Sequence, residues 1–243
     1  MSLLEAVDVS KSFGGIRALN ACCVHVEEGE IVGLIGPNGS GKTTLFNVMT
    51  GYERADSGMV RMRNKPIAGS SPRAVFGLGV GRTFQLTRIF PRLTVLENAH
   101  VAAQRPNFAA SLGRWSATKE RTRVTELLDF VGLARLRDVP AGNLSYGQKK
   151  LLEIASILVA EPKVLLLDEP AGGINPTMIA YLSDRIRDLN HRGVTFLVVE
   201  HNMEFVMGLC NRVSVMHRGA TIADGPAAEI RQNPAVLDAY LGD

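Results

Sequence analysis

The strongest constraint on the fold of this chain is local. An apolar run, Ile31-Val-Gly-Leu-Ile35, passes straight into Gly36-Pro37-Asn38-Gly39-Ser40-Gly41-Lys42-Thr43, and a helical segment follows from Thr43 to about Met49. Five apolar residues in succession read as a buried strand. The glycines let backbone N-H groups of the loop, from Gly36 to Thr44, turn toward one centre, and the helix presents the positive end of its dipole there. The ligand such a loop suits is a phosphate chain. With glycine near 7% of average usage, the four fixed positions recur by accident at roughly one site in ten thousand or rarer. On this reading Lys42 pairs with the β- and γ-phosphates, and the Thr43 hydroxyl ligates magnesium.

A second apolar run, Val164-Leu-Leu-Leu167, ends in Asp168-Glu169. Two carboxylates at the end of a buried strand lie where open α/β sheets place their ligand crevice. Asp168 is placed to hold the ion, directly or through water, and Glu169 to orient or deprotonate the water attacking the γ-phosphate. His201 follows the strand Thr195 to Glu200 and is placed to reach the same phosphate; His25, His100, His191 and His217 have no such placement. Between the two motifs stands Leu144-Ser145-Tyr146-Gly147-Gln148 at the start of a helix. The first-turn N-H groups of a helix are unpaired and attract anions, so this is a second phosphate-binding helix end. A plain helix cap at Ser145 also accounts for it.

Composition narrows the class. At 243 residues, 46% apolar and 21% charged, the chain is expected to bury a self-sufficient core. The net charge of +3, from 27 basic and 24 acidic residues without long like-charged blocks, does not indicate nucleic acid. The longest apolar stretches are strand-sized, far from the roughly 20 residues a spanning helix needs. Met1-Ser-Leu-Leu-Glu-Ala lacks a secretory signal, so a cytoplasmic location is expected. Cys22, Cys23 and Cys210 have no metal-ligand spacing and are expected to be reduced, small core residues.

Residues 1 to 35 alternate as half-buried strands do, notably Ala21 to Val26, and Gly58 to Met62 is another strand. Helical spacing marks Thr94 to Gln104 and Ser116 to Val131, with Val124, Leu127, Leu128 and Val131 on one stripe. The segment Arg105 to Trp115 shows no clear period. Helical period returns at Leu151, Ile154, Ala155 and Leu158, before Pro162. Asn175-Pro176 caps a further helix with Met178, Ile179, Leu182, Ile186 and Leu189 inward, and Phe196 to Val199 is the next strand. This alternation predicts a parallel α/β sheet with a helical lobe inserted. The tail predicts strands Arg212 to Met216 and Thr221 to Ala223, then a helix from Ala235 to Leu241.

Taken in order, the phosphate loop, Leu144-Ser-Tyr-Gly-Gln148, Leu165-Leu-Leu-Asp-Glu-Pro170 and His201 resemble the ATP-binding subunits of ABC transporters, whose signature is Leu-Ser-Gly-Gly-Gln or a close variant. The resemblance covers essentially the whole chain. It implies an α/β P-loop NTPase (RecA-like) core with an N-terminal antiparallel β subdomain and an inserted α-helical subdomain. Residues 1–243 then form a single nucleotide-binding domain, with the helical insert at approximately 88–160. It also implies ATP and Mg2+ as cofactors and ATP hydrolysis as the activity. Two subunits pack head to tail around two nucleotides, so that Ser145, Gly147 and Gln148 contact the γ-phosphate held by the other subunit. Phe13 matches the aromatic position that stacks on adenine, a core role being the other account of it. Gln85, in Arg82-Thr-Phe-Gln85, matches the glutamine that senses magnesium and water, near the contact with the membrane subunit. Many relatives carry aspartate where Asn175 stands.

Within that family, Arg82-Thr-Phe-Gln85, Arg88 to Asn98, Ala171-Gly-Gly-Ile-Asn-Pro176 and Asp238-Ala-Tyr-Leu-Gly242 look like the larger ATPase subunit of branched-chain amino acid importers. ATPases of urea or amide importers and of lipopolysaccharide export share much of this pattern. The implied partners are an identical or a related ATPase subunit, two integral-membrane permeases and, indirectly, a periplasmic binding protein. The implied location is the inner face of the cell membrane. A soluble ABC ATPase acting on nucleic acid is disfavoured by the single nucleotide domain and the lack of a long coiled-coil insert or basic tail. A non-catalytic nucleotide switch is disfavoured by Glu169 and His201.

Overall fold

Two strands of twelve residues, β1 (Ser2–Phe13) and β2 (Ile16–Glu27), open the chain as an antiparallel pair. This computed structural model describes residues 2–103 and 114–241. The chain divides into two compact units: residues 1–82, 163–171 and 187–243 form the first, and residues 83–162 and 172–186 the second.

In the first unit β1 also pairs with β4 (Ser57–Met62), which pairs with the short β5 (Lys65–Pro66), giving a four-stranded antiparallel sheet in the order β2-β1-β4-β5. Its alternating pattern sends Leu4, Ala6, Leu19, Cys22, Val24 and Val26 inward. A second sheet has six strands. It is built on β3 (Ile31–Ile35), β6 (Val80–Arg82), β7 (Val164–Asp168), β8 (Thr195–Val199), β9 (Arg212–His217) and β10 (Ala220–Pro226), in the order β10-β9-β3-β8-β7-β6. Strands β3, β7 and β8 are buried at every residue, the expected consequence of helices on both faces of a parallel sheet. The sheet is not wholly parallel, however. β10 returns antiparallel to β9 because Arg218-Gly219 folds the chain into a hairpin, with Arg218 at φ 46° and Gly219 at φ 82°. The three-residue β6 is too short, and too interrupted by Gly81, to leave a period in the sequence.

Helices α1 (Lys42–Met49), α2 (Pro72–Gly77), α7 (Met203–Leu209), α8 (Ala227–Ile230) and α9 (Pro234–Leu241) belong to the first unit. Its core joins residues of both sheets, among them Leu4, Val24, Leu34, Leu166 and Leu197, with Leu45, Phe46 and Met49 of α1. Of the three cysteines, none disulfide-bonded, Cys22 and Cys210 are buried as expected. Cys23 is exposed, because successive residues of β2 point to opposite faces.

The second unit contains α3 (Val95–Ala103), α4 (Arg114–Phe130), α5 (Tyr146–Leu158) and the first eleven residues, 176–186, of α6 (Pro176–His191). Val124, Leu127, Leu128 and Val131 form the buried stripe that their spacing predicts. In α6, Leu182, Ile186 and Leu189 are buried, whereas Met178 and Ile179 are half-buried. The unpatterned segment beginning at Arg105 lies outside the described residues up to position 113.

Candidate nucleotide site

In the first unit β3 delivers the chain to Gly36, whose φ of 153° is backbone that L side chains rarely adopt. A Cβ there would collide with the backbone oxygen of Met216 and lie 2.7 Å from the Ser40 hydroxyl. No side chain caps α1 at Gly41, so the amides of its first turn keep their capacity for an anion. The Lys42 ammonium folds back over the loop, donating to the carbonyls of Gly36 at 2.8 Å and Pro37 at 2.9 Å and to the Ser40 hydroxyl at 3.3 Å. Burial lowers its pKa, and the Glu169 and Asp168 carboxylates pull it back up, which places all three charges within electrostatic reach of one another. Pro37 is half-buried, Asn38 and Gly39 are exposed, and Thr43 is exposed beside the half-buried Thr44.

Asp168 and Glu169 stand where β7 ends. Asp168 is buried, and its Oδ2 accepts from Arg82 Nη2 at 3.0 Å. Arg82 closes β6 and also donates to Asn47 Oδ1 at 2.7 Å and Thr50 Oγ1 at 3.2 Å, both from the α1 region. The sequence pattern pointed to Gln85 in this motif and gave no hint that Arg82 braces Asp168. Arg82→Leu is expected to cost about 3–5 kcal/mol in denaturant unfolding, because it takes a hydrogen-bonded cation away from a buried carboxylate. A loss below about 1 kcal/mol would show that Asp168 does not depend on this guanidinium.

Glu169 adopts a φ of 47° and its amide donates to Val199 O at 2.9 Å, which turns its side chain off the strand line. Its Oε1 lies 3.7 Å from His201 Nδ1. The His201 loop is set by Glu200, a buried residue missed by the sequence reading. Its Oε1 accepts from the Ala171 amide at 2.6 Å, and its Oε2 from the amides of His201 at 3.1 Å and Asn202 at 3.3 Å. A glutamate closing an apolar strand just before a histidine is the signal that could have found it. Phe13, at the end of β1, is 45% exposed with Lys11 Nζ 5.2 Å from its ring, so it is a surface aromatic and not part of the core.

Magnesium would find hard oxygen donors here, the Thr43 hydroxyl and the Asp168 carboxylate. Such a set suits an ion that takes one or two protein ligands and completes its shell with phosphate and water. Among the described residues no group of three or more His, Cys, Asp or Glu side chains forms a closed metal cage.

Gln85, Ser145, Gly147 and Gln148 belong to the second unit. Ser145 caps α5 in a reciprocal box: its Oγ accepts from the Gln148 amide at 3.3 Å, and its own amide donates to Gln148 Oε1 at 2.9 Å. Ser145 is exposed. Gly147 is buried, and a Cβ on it would lie 2.8 Å from Met178 Cγ, so close packing with α6 requires glycine there. Asn175 caps α6 by accepting from the Met178 amide at 2.9 Å, a bond the aspartate of many relatives would make equally well. Gln85 is exposed, and its carbonyl accepts from the Tyr146 hydroxyl at 3.2 Å. On either side of it, the amides of Phe84 and Arg88 donate to Glu153 Oε1, each at 3.3 Å.

Burial pushes the Glu153 carboxyl up to about 7, against the pull of the Arg88 and Phe84 amides. The unfolded chain gives up this proton near 4.5 and the folded one near 7. Its contribution to stability is therefore complete below pH 4.5 and declines as pH rises to about 7, by roughly 3 kcal/mol in total. Denaturant midpoints of wild type and Glu153→Gln at pH 5 and pH 7.5 measure it: the wild type should lose more stability over that interval, and parallel behaviour would contradict the assignment.

A buried strand, a glycine loop with its lysine folded over it, a helix opening without a side-chain cap, and two carboxylates at a nearby strand end together define a P-loop nucleotide-binding protein. The family comparison makes this specific. The model for the ABC transporter family matches residues 19–172, and one described as the branched-chain amino acid ATP-binding cassette transporter matches residues 220–243. The chain belongs to the ABC transporter ATP-binding family and is an ATPase of that type. It is 40% identical over 249 residues to the probable branched-chain amino acid transport ATP-binding protein LivG of Archaeoglobus fulgidus, covering 100% of this chain and 96% of that one. A crystal structure of an ABC transporter cassette in its ADP conformation superposes with a TM-score of 0.89 at 33% identity, over 100% of both chains. A bacterial ABC transporter cassette solved as a dimer superposes with a TM-score of 0.80 at 25% identity, over 92% of this chain and 98% of that one. No helix among the described residues is long and apolar enough to cross a membrane.

Proposed function

We propose that this chain energises an importer of branched-chain amino acids, as a peripheral subunit on the cytoplasmic face of the cell membrane beneath two permeases served by a periplasmic binding protein. The observation that carries the reading is the presence in one chain of a phosphate loop with strand-end carboxylates and, separately, of an exposed, capped helix start at Ser145. The relative named for branched-chain amino acid transport and the match at 220–243 support the substrate class.

In this proposal the whole chain is one nucleotide-binding domain, with its helical subdomain at approximately 88–160. Backbone amides from Gly36 to Thr44 cradle the phosphates, and Lys42 swings from the loop carbonyls to the β- and γ-phosphates. Phe13 stacks on the adenine. Thr43, Asp168 and Gln85 serve magnesium, which when bound offsets the negative charge of the β- and γ-phosphates. Glu169 takes a proton from the attacking water or orients it, and His201 contacts the γ-phosphate. Ser145, Gly147 and Gln148 serve the nucleotide of a second subunit packed head to tail; that a similar cassette was solved as a dimer supports the pairing of two such chains. Gly147 has no side chain, so its part is through the backbone. Shifting an open to closed equilibrium from 1:99 to 99:1 takes about 5.5 kcal/mol of differential binding. A γ-phosphate clamped from two chains is the source of that difference.

Two measurements test this reading. The purified chain should hydrolyse Mg-ATP with a specific activity that rises with protein concentration, alone for a homodimer or with an added related ATPase for a heterodimer; a concentration-independent rate in both cases rejects the shared site. Cells lacking the gene should lose uptake of leucine, isoleucine and valine. Normal uptake of these, with loss of urea or amide import or of lipopolysaccharide export, would reassign the substrate.

A further inference from the structure

Tyr146 stands where the family signature has its first glycine, and the function does not require a tyrosine there. Its surroundings supply a reason. The hydroxyl reaches the carbonyl of Gln85 at 3.2 Å, and a Cβ on Gly173 would lie 3.1 Å from its ring. Lys150, one turn along α5, holds its ammonium 5.1 Å from the centre of the same ring. Glu153 follows on the same helical face and binds the amides of Phe84 and Arg88. Arg88 stacks its guanidinium 3.7 Å over the Phe84 ring, closing the loop between those two amides. Residues at i, i+4 and i+7 share one side of a helix, so a single face of α5 takes hold of the backbone at three points, two flanking Gln85 and one on it.

We propose that Tyr146 and Glu153 are positioning residues, which fix the Gln85 loop to the helix that Ser145 caps so that loop and signature end are carried as one piece. Both side chains grip backbone atoms of the loop, Tyr146 the Gln85 carbonyl and Glu153 the Phe84 and Arg88 amides. They set the backbone from which the Gln85 side chain projects, and all of these residues lie in the second unit. The capping box supplies the other end of the device: Ser145 and Gln148 fix the first turn, and Tyr146 lies within that turn. A glycine at 146, as in the signature of many relatives, would leave the Gln85 carbonyl without this donor. The consequence for catalysis rests on the role proposed above for Gln85.

The test is steady-state hydrolysis of Mg-ATP by the full chain, read together with hydrogen exchange across residues 83–88. Tyr146→Phe keeps the ring and removes one hydrogen bond; it should lower kcat by about 2- to 10-fold and leave the KM for ATP within about twofold. Glu153→Ala should lower kcat at least as much and speed exchange of the Phe84 and Arg88 amides, whereas Glu153→Gln, which keeps an acceptor oxygen, should restore most of both. In a Gln85→Ala background, Tyr146→Phe and Glu153→Ala should reduce kcat no further. Additive losses in that background, unchanged exchange in Glu153→Ala, or a rise in KM without a fall in kcat would overturn the proposal. If Gln85→Ala alone leaves kcat unchanged, the role of Gln85 fails instead, and the exchange rates still decide whether Glu153 holds the loop.

Discussion

Glu169→Gln is expected to lower ATP turnover by about 100- to 10,000-fold, the range a positioned general base contributes, while ATP affinity stays within about twofold of wild type. Glutamine preserves the shape of the side chain and removes its ability to take a proton. The left-handed backbone at Glu169 and its amide bond to Val199 O keep the substituted side chain where the carboxylate was. Lys42 loses one of the two carboxylates that hold its pKa up, but its bonds to the Gly36 and Pro37 carbonyls remain. The variant should therefore load nucleotide and stop. With hydrolysis blocked, the ATP-bound dimer should accumulate and be seen by sedimentation or size-exclusion chromatography in Mg-ATP. Turnover within about tenfold of wild type would remove Glu169 from the chemistry.

Ser145→Arg has the second large effect, and it separates two functions of one side chain. As a cap, Ser145 contributes about 1 kcal/mol to α5, a loss that Ser145→Ala measures alone. In its proposed role as a ligand for the neighbour's γ-phosphate it would contribute hydrogen bonds to a charged group, at roughly 1.5–3 kcal/mol each. Losing the serine and its ordered first turn should then weaken ATP-dependent dimerisation by about 100-fold or more. ATP binding by the monomer should be unaltered, since the loop from Gly36 to Thr44 lies in the other unit. The clean background is Glu169→Gln, in which the closed dimer is expected to be long-lived. Normal dimerisation of the double variant would sink the idea of a site completed by a second chain.

What was legible in the sequence was whatever is encoded over a few consecutive residues. The strand, loop and helix around Lys42, the apolar runs of β7 and β8, the Asn175 cap and the stripe from Val124 to Val131 each carry a local period or a local hydrogen bond. The polar pairs that set the site do not. Arg82 and Asp168 are 86 residues apart, Phe84 and Glu153 are 69, and Ala171 and Glu200 are 29. Each joins residues that would be unremarkable in isolation, and only the pairing of β6 with β7, the pairing of β7 with β8, or the return of α5 past the Gln85 loop brings them together. Cys23 shows the converse: its type favoured the core, and the two-residue repeat of β2 set it outside.

The glutamate that closes β8 has implications for anyone recombining or redesigning this chain. Both oxygens of Glu200 face N-H donors, one in the segment after Glu169 and two in the segment that bears His201. A glutamine would offer one oxygen and turn its NH2 toward a donor, so the substitution usually regarded as mild is unsuited to this position. Segments grafted from relatives at 169–171 and at 200–202 have to be exchanged as a matched set. A library that varies His201 freely can do so only with position 200 held constant.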